Sequence, residues 1–433
     1  MTSRAFGFLF VLLVYLVAPN PKTAGIQLGD VGLVMFFVAY AAMTRLRLDG
    51  RLLAFFAWPA LAVAVAFLGR TFSGVPIDTD AVNNLLRTAS LGLLGTLGVL
   101  ISRAGGEEDR ERLVRGLLRL LVIAIVFTSL VGLLEYARPD AFSGMVSGLY
   151  AMQLRTNLTN VEQAEQAGRI TSIFSWANTF AEFLLYSLTV LLVNRRLVGR
   201  LSLTVATFLG VPCLLLTNSR LALLFLCGIL LYVTVVDRRW GLLVLAGTAA
   251  AAVLLVFPVE QLLGAQNTAR LGELVDFVRY GALPPNVEVR LSTLAFLSRK
   301  LVSSEYFYFG FPMPVYESTV FISWDNQYLG FFVKYGITGI LLVVWQLASI
   351  LIPWLLLRHT VDPRRRLYLH TLIALNLMVF IGGLSQDTLF VERWKEFYFA
   401  LTGVVLGMWG MWPGASRATA ERSERLTPQL ANG

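Results

Sequence analysis

The chain is poor in the side chains that most enzymes use to hold metals or move protons, with two histidines and two cysteines in 433 residues. His359 and His370 lie near one short arginine-bearing connection, so neither is placed to act as a base on the opposite face. Cys213 and Cys227 both fall inside apolar runs, which leaves no basis for a disulfide framework or a cysteine metal site. No Walker loop, Rossmann glycine pattern, HExxH or CxxC occurs, so neither nucleotide hydrolysis nor a bound metal or other cofactor is expected. Charged residues make up only 15% of the chain, and lysine is scarce, at 4 against 32 arginines. No polar stretch between the apolar runs has room for a water-soluble domain of normal size.

What the chain has instead is length in apolar runs. Hydrophobic residues are 56% of the sequence, and the runs repeatedly reach about 17–22 residues, enough to cross a hydrocarbon core of about 30 Å. The expected fold is all-α: a single polytopic membrane domain over 1–412 with about twelve transmembrane helices. The expected spans are 5–18, 25–43, 52–69, 86–102, 117–135, 176–193, 201–217, 221–236, 240–257, 327–357, 367–384 and 397–412. The first has no small-residue cleavage site behind it and is read as a retained span. Residues 413–433 are polar and read as a disordered cytoplasmic tail.

Charge orders these spans. The connections 44–51, 102–116, 194–200, 237–239 and 357–366 all carry arginine and fall on one side in strict alternation. Short cytoplasmic loops collect Lys and Arg, so that side is expected to be the cytoplasm, with both termini there. The net charge of +9 then reflects loop arginines meeting anionic headgroups, with membrane lipid and not nucleic acid as the partner. The opposite side receives 19–24, 70–85, 136–175, 217–220, 258–326 and 385–396. The 258–326 segment is the one large outer loop. It reads as two amphipathic helices separated by Pro284-Pro285, with Leu291, Leu294, Leu297 and Leu301 on one face of the second.

Arg220, in the turn "TNSR", and Arg290, in the large loop, lie opposite the arginine-bearing connections. Arg220 begins an expected helix, where a cation opposes the macrodipole unless an anion is bound there; a solvated turn arginine is the plainer alternative. Arg290 offers a guanidinium fork that suits pyrophosphate oxygens, or is an ordinary polar-face residue. Asp325, in "SWDNQYLGFF", is either a carboxylate that takes a proton from a sugar hydroxyl or a helix N-cap. Asn326 and Tyr328 are placed to hydrogen-bond a glycan or to sit at the interface. Arg169 and Asn178 bracket "RITSIFSWANTFAEF", where Asn178 and Glu182 on an apolar span need partners. Asp387, in "GGLSQDTLF", is a substrate-side or a solvated carboxylate, and Lys334 a substrate-side or a snorkelling charge.

Taken in order, "RITSIFSWANTFAEF", "LLLTNSRLALL", Arg290 followed by "FGFPMP", and "WDNQYLGFFVKYGITG" resemble the O-antigen ligase and Wzy-type polysaccharide polymerase superfamily. The resemblance covers about the middle half of the chain and rests on the order of the motifs more than on any one of them. It implies a GT-C-like membrane glycosyltransferase, without metal or nucleotide, in the bacterial inner membrane with its site on the periplasmic face. The donor would be an undecaprenyl-pyrophosphate-linked oligosaccharide and the acceptor a hydroxyl of another glycan, with inversion at the anomeric carbon and a chain-length regulator protein as a further partner. Arg220 and Arg290 would hold the pyrophosphate as it leaves. Arg169, Asn178, Asn326, Tyr328 and Asp387 would line the substrate, and Asp325 would be the base.

Two positions depart from the pattern. The family's frequent histidine is Asp325 here, and its usual proline before Asn178 is Ala177. Histidine typifies the ligases, so aspartate favours a polymerase building O-antigen, capsule or exopolysaccharide over a ligase that delivers glycan to lipid A–core. A carboxylate near its ordinary pKa is a weaker base than imidazole. The rival of another class is a transporter or flippase for a lipid-linked or anionic solute, which predicts broken helices and ionisable groups near mid-membrane. A glycosyltransferase of the cell-wall shape-determining type fits the number of spans without motif support.

Overall fold

The computed structural model describes residues 3–18, 22–23, 26–43, 50–74, 79–142, 169–174, 177–217, 307–310, 327–383 and 393–409, with a few isolated positions between them. Asp325, Arg290, Arg220, Asn326 and Asp387, most of the 258–326 segment, the spans expected at 221–236 and 240–257, and the tail lie outside the described residues. Apart from a two-residue antiparallel bridge, β1 (Lys22–Thr23) with β2 (Ile26–Gln27), the described elements are helical.

The helices are α1 (Ser3–Val17), α2 (Leu28–Met43), α3 (Gly50–Phe72), α4 (Thr79–Ala104), α5 (Glu107–Ala137), α6 (Ala177–Val193), α7 (Arg200–Leu216), α8 (Gln327–Tyr335), α9 (Ile340–His359), α10 (Pro363–Gly382) and α11 (Trp394–Gly407). Among the described residues, four stretches are long and apolar enough to cross a membrane: Gly50–Phe72, Val82–Ala104, Glu107–Ala137 and Gln327–His359. Shorter apolar helices cover Arg4–Val17, Gly29–Ala42, Ala177–Val193 and Arg200–Leu216. Prolines 59, 212 and 353 sit inside α3, α7 and α9, as tolerated where neighbouring helices satisfy the freed carbonyls.

Local chemistry explains the ends of these helices. α5 opens on Glu107, Glu108 and Asp109, which complement its positive N-terminus, and Glu111 pairs with Arg115 at 2.9 Å one turn on. α10 starts at Pro363, with Asp362 as N-cap accepting from Arg364 N at 2.9 Å. The core is drawn tight by glycine. A Cβ on Gly98 of α4 would lie 2.7 Å from Ala400 O, and one on Gly403 of α11 would lie 2.8 Å from Gly95 C, so the two backbones approach as only small residues permit.

The helices alternate between two ends. At one end Arg364 pairs with Glu111 and Arg365 with Glu107 (3.4 Å), so connections 102–116 and 357–366 meet as charge alternation requires. Arg103 Nε donates to Gly407 O at 3.2 Å there, and Arg110 Nε to Ser102 O at 2.8 Å. At the opposite end gather the C-termini of α1, α3, α5, α7 and α10 and the N-termini of α2, α6, α8 and α11.

The tenth expected span is the one that departs from expectation. In place of a continuous helix, α8 stops at Gly336, whose φ of 62° is left-handed, and a 3-10 turn over Gly336–Gly339 leads into α9. α9 alone has 20 residues, roughly 30 Å of rise. It can therefore cross a bilayer without α8, which puts the break near one end of the bundle and not at its middle.

Candidate functional site

The polar groups at the end opposite the paired arginines form three connected nodes. The first joins α5, α6 and α7 through residues 169–174. Arg169 Nε donates to Thr217 O at 2.8 Å, the C-cap of α7, and its other guanidinium nitrogen donates to Asn178 Oδ1. Ile170 N reaches Leu216 O at 3.4 Å. The segments "RITSIF" and "LLLTNS" are thus brought together, and Asn178 stands exposed at the rim while Glu182, one turn along the same face of α6, is 4% exposed. Glu135, near the end of α5, anchors this node from below by accepting from Thr171 and Ser172.

The second node is the start of α11. Arg393 has φ 63°, is 3% exposed, and donates Nη1 to Ala18 O at 3.1 Å with longer contacts to Leu16 O (3.3 Å) and Tyr15 O (3.4 Å). A cation is thereby held on the negative end of α1, where it is favoured. Its guanidinium carbon also lies 5.8 Å from the ring centre of Phe174, tying this node to the first. Lys395 and Glu396, both buried, pair at 3.2 Å. Trp394 packs on Tyr186 of α6 at 5.4 Å between ring centres. Glu182, Arg393, Lys395 and Glu396 are all buried ionisable groups, which inside an apolar helix bundle are costly and single out their surroundings as a candidate functional region.

The third node surrounds the helix break. Arg70, at the end of α3 and 6% exposed, donates Nε to Phe309 O at 2.9 Å and a second guanidinium N–H to Lys334 O. The segment Phe307–Gly310 therefore docks on α8. Two left-handed glycines make the fit: a Cβ on Gly310 (φ 80°) would lie 2.5 Å from Lys334 O, and one on Gly336 2.6 Å from Phe307 O. Tyr328 belongs to this side, with its hydroxyl donating to Phe380 O, and Gln327 N donates to Gly383 O at 2.8 Å. A buried polar ladder runs inward from it. Gln327 Nε2 donates to Gln346 Oε1 at 2.9 Å, and two turns deeper Asn376 Oδ1 accepts from Ser349 Oγ at 2.8 Å and from the Tyr398 hydroxyl.

Of the sequence-predicted residues, Arg169 and Asn178 are in direct contact and Tyr328 stands in a different node. Asp325, Asn326, Arg220, Arg290 and Asp387 lie outside the described residues; of these, Asn326 adjoins Gln327 and Arg220 follows Thr217 by three residues. Lys334 contributes its carbonyl to Arg70, a role for its backbone that sequence does not display. Reading the sequence missed Arg70, Glu135, Arg393, Lys395 and Glu396. Two signals were present: an arginine closing the apolar run "AVAFLGR", and a carboxylate inside "LVGLLEYA". Among the described residues no group of three metal-binding side chains occurs. Neither protein-family models nor curated proteins give a match to the chain.

Proposed function

We propose that the chain is a bacterial inner-membrane glycosyltransferase that polymerises lipid-linked repeat units of a cell-surface polysaccharide. The arginine-rich end faces the cytoplasm by charge bias, and the three polar nodes face the periplasm. In the reaction, the acceptor hydroxyl oxygen bonds to the anomeric carbon as the bond from that carbon to the undecaprenyl pyrophosphate oxygen breaks. The pyrophosphate carries away the electron pair, Arg220 and Arg290 stabilise it, and Asp325 takes the hydroxyl proton. Arg169, Asn178, Asn326, Tyr328 and Asp387 position the two glycans.

The observation that carries this reading is the Arg169–Asn178–Thr217 contact. Two of the segments on which the family resemblance rests are locked side by side, at the end of the bundle where charge bias puts the outer face. The test is elongation in vitro by purified protein given only lipid-linked repeat units. A product ladder is expected, with a loss of about 100-fold or more in Arg290→Ala, the scale of losing one charge-stabilising donor. No ladder from lipid-linked units alone, with a single transfer once lipid A–core is added, would instead mark a ligase. Elongation that survives Arg220→Ala combined with Arg290→Ala would overturn the arginine clamp, and failure of the wild type to form product with either acceptor would overturn the transferase reading. Solute uptake into proteoliposomes, with no glycan product from the wild type, would instead mark a transporter.

A further inference from the structure

The buried carboxylate of Glu135 has a task that the reading above leaves unassigned. It is 3% exposed, and a carboxylate so placed is costly unless its oxygens are fully bonded. Thr171 N donates to Oε1 at 2.9 Å and to Oε2 at 2.8 Å, Thr171 Oγ1 donates to Oε1 at 2.9 Å, and Ser172 N donates to Oε2 at 2.6 Å. Two successive amides and a hydroxyl therefore converge on one carboxyl group, a concave N–H arrangement of the kind that binds anions. Here the protein supplies the anion itself.

The backbone it holds is strained. Ser172 has φ 54°, a left-handed conformation that costs a residue with a Cβ and that persists only where the surroundings over-determine it. They do: the Ser172 hydroxyl donates to Thr128 O at 2.6 Å, and Phe174 lies under the Arg393 guanidinium. What emerges from this fixed turn is Arg169, bonded to the α7 C-cap on one side and to exposed Asn178 on the other.

We propose that Glu135 is a positioning residue for Arg169. By holding Ser172 left-handed, it sets the direction in which the Arg169–Asn178 pair meets the phosphate oxygens of the lipid-linked donor. The inference rests on the proposed function and extends the role of Arg169 from positioning the glycan to contacting the phosphates next to it.

The experiment uses the full chain in nanodiscs, with a short polyprenyl pyrophosphate and the matching monophosphate as probes. In Glu135→Gln an amide N–H must face backbone donors, so hydrogen exchange over residues 169–174 should accelerate and pyrophosphate affinity should fall about tenfold. Arg169→Ala should lose affinity as well, and adding Glu135→Gln to it should cost nothing more, because coupled residues are non-additive. Unchanged exchange over 169–174, or affinity losses that multiply in the double variant, would overturn the proposal. Should Glu135→Gln fail to fold, Thr171→Val removes one donor only and should give the same pattern at smaller amplitude, with the same outcomes decisive. A wild type that binds the two probes equally would also overturn it. Accelerated exchange in that case would locate the failure in the ligand assignment and not in the geometry.

Discussion

Replacing Gly336 with alanine should release the 307–310 arm from the helix break on which it sits. Gly336 has φ 62°, and an L residue there costs roughly 1–2 kcal/mol. The new Cβ would lie 2.5 Å from Phe309 N and 2.6 Å from Phe307 O. Both are backbone atoms with no rotamer to yield, and such overpacking costs about 1–3 kcal/mol. The combined penalty is about 2–5 kcal/mol. Against it stand the two Arg70 bonds, to Phe309 O and Lys334 O, worth about 1.5–3 kcal/mol each with a charged donor. The two sides are of similar size, so the docked arm loses most of its advantage. Hydrogen exchange over peptides containing 307–310 should then accelerate about 30-fold, since each 1.4 kcal/mol is about tenfold. Gly330→Ala is the control, because nothing lies within 4 Å of a Cβ there. Unchanged protection of the arm in Gly336→Ala, or an equal loss in Gly330→Ala, would refute the steric account.

Two further outcomes follow from packing and from the polar ladder. Gly403→Ala should lower the melting temperature in detergent, because its Cβ would fall 2.8 Å from Gly95 C and 3.0 Å from Gly95 Cα, an overpacking cost of about 1–3 kcal/mol. Gly32→Ala, in open space on α2, should raise it slightly, by the helix preference of about 0.5–1 kcal/mol for alanine; the same sign for both would count against the close α4–α11 approach. Asn376→Val should destabilise by about 1–2 kcal/mol, since Ser349 Oγ and the Tyr398 hydroxyl lose their shared acceptor. Equal melting temperatures for Asn376→Val and wild type would show the ladder to be energetically idle.

The helices were legible because apolar length and arginine placement are independent signals that agree. Ten of the twelve expected segments coincide with described helices, and the two arginine-bearing connections 102–116 and 357–366 meet through Arg364–Glu111. The break at Gly336 was not legible, because the apolar run resumes directly after "YGITG" and only the contact with Phe307–Gly310 requires a left-handed glycine there. Glu135 escaped notice for a related reason. Its partners are backbone amides 36 and 37 residues away, and amides leave no mark in a sequence. Asn178 and Arg169 were found because both ends of their contact are side chains.

An arginine at the end of the bundle opposite the Arg364–Glu111 pair has two distinct uses, and the contacts of its guanidinium separate them. Charge bias singles out Arg220 and Arg290 and passes over Arg70 and Arg393, which lie at the end opposite the Arg364–Glu111 pair. Both of these are spent on main-chain carbonyls: Arg393 on the last turn of α1, and Arg70 on the two strands of chain that meet at the helix break. A cation in that role replaces missing helix hydrogen bonds and needs no ligand. Arg169 does both, with Nε on the α7 C-cap and another nitrogen on exposed Asn178. A misplaced arginine is thus a reason to look for unpaired carbonyls before it is a reason to look for phosphate. If Arg220 and Arg290 hold the pyrophosphate as proposed, their alanine variants should cut elongation about 100-fold or more while leaving the melting temperature near wild type. Arg70→Ala and Arg393→Ala, by the same reasoning, should lower the melting temperature first. If Arg220→Ala and Arg290→Ala also lost stability in step with activity, both would join the structural class.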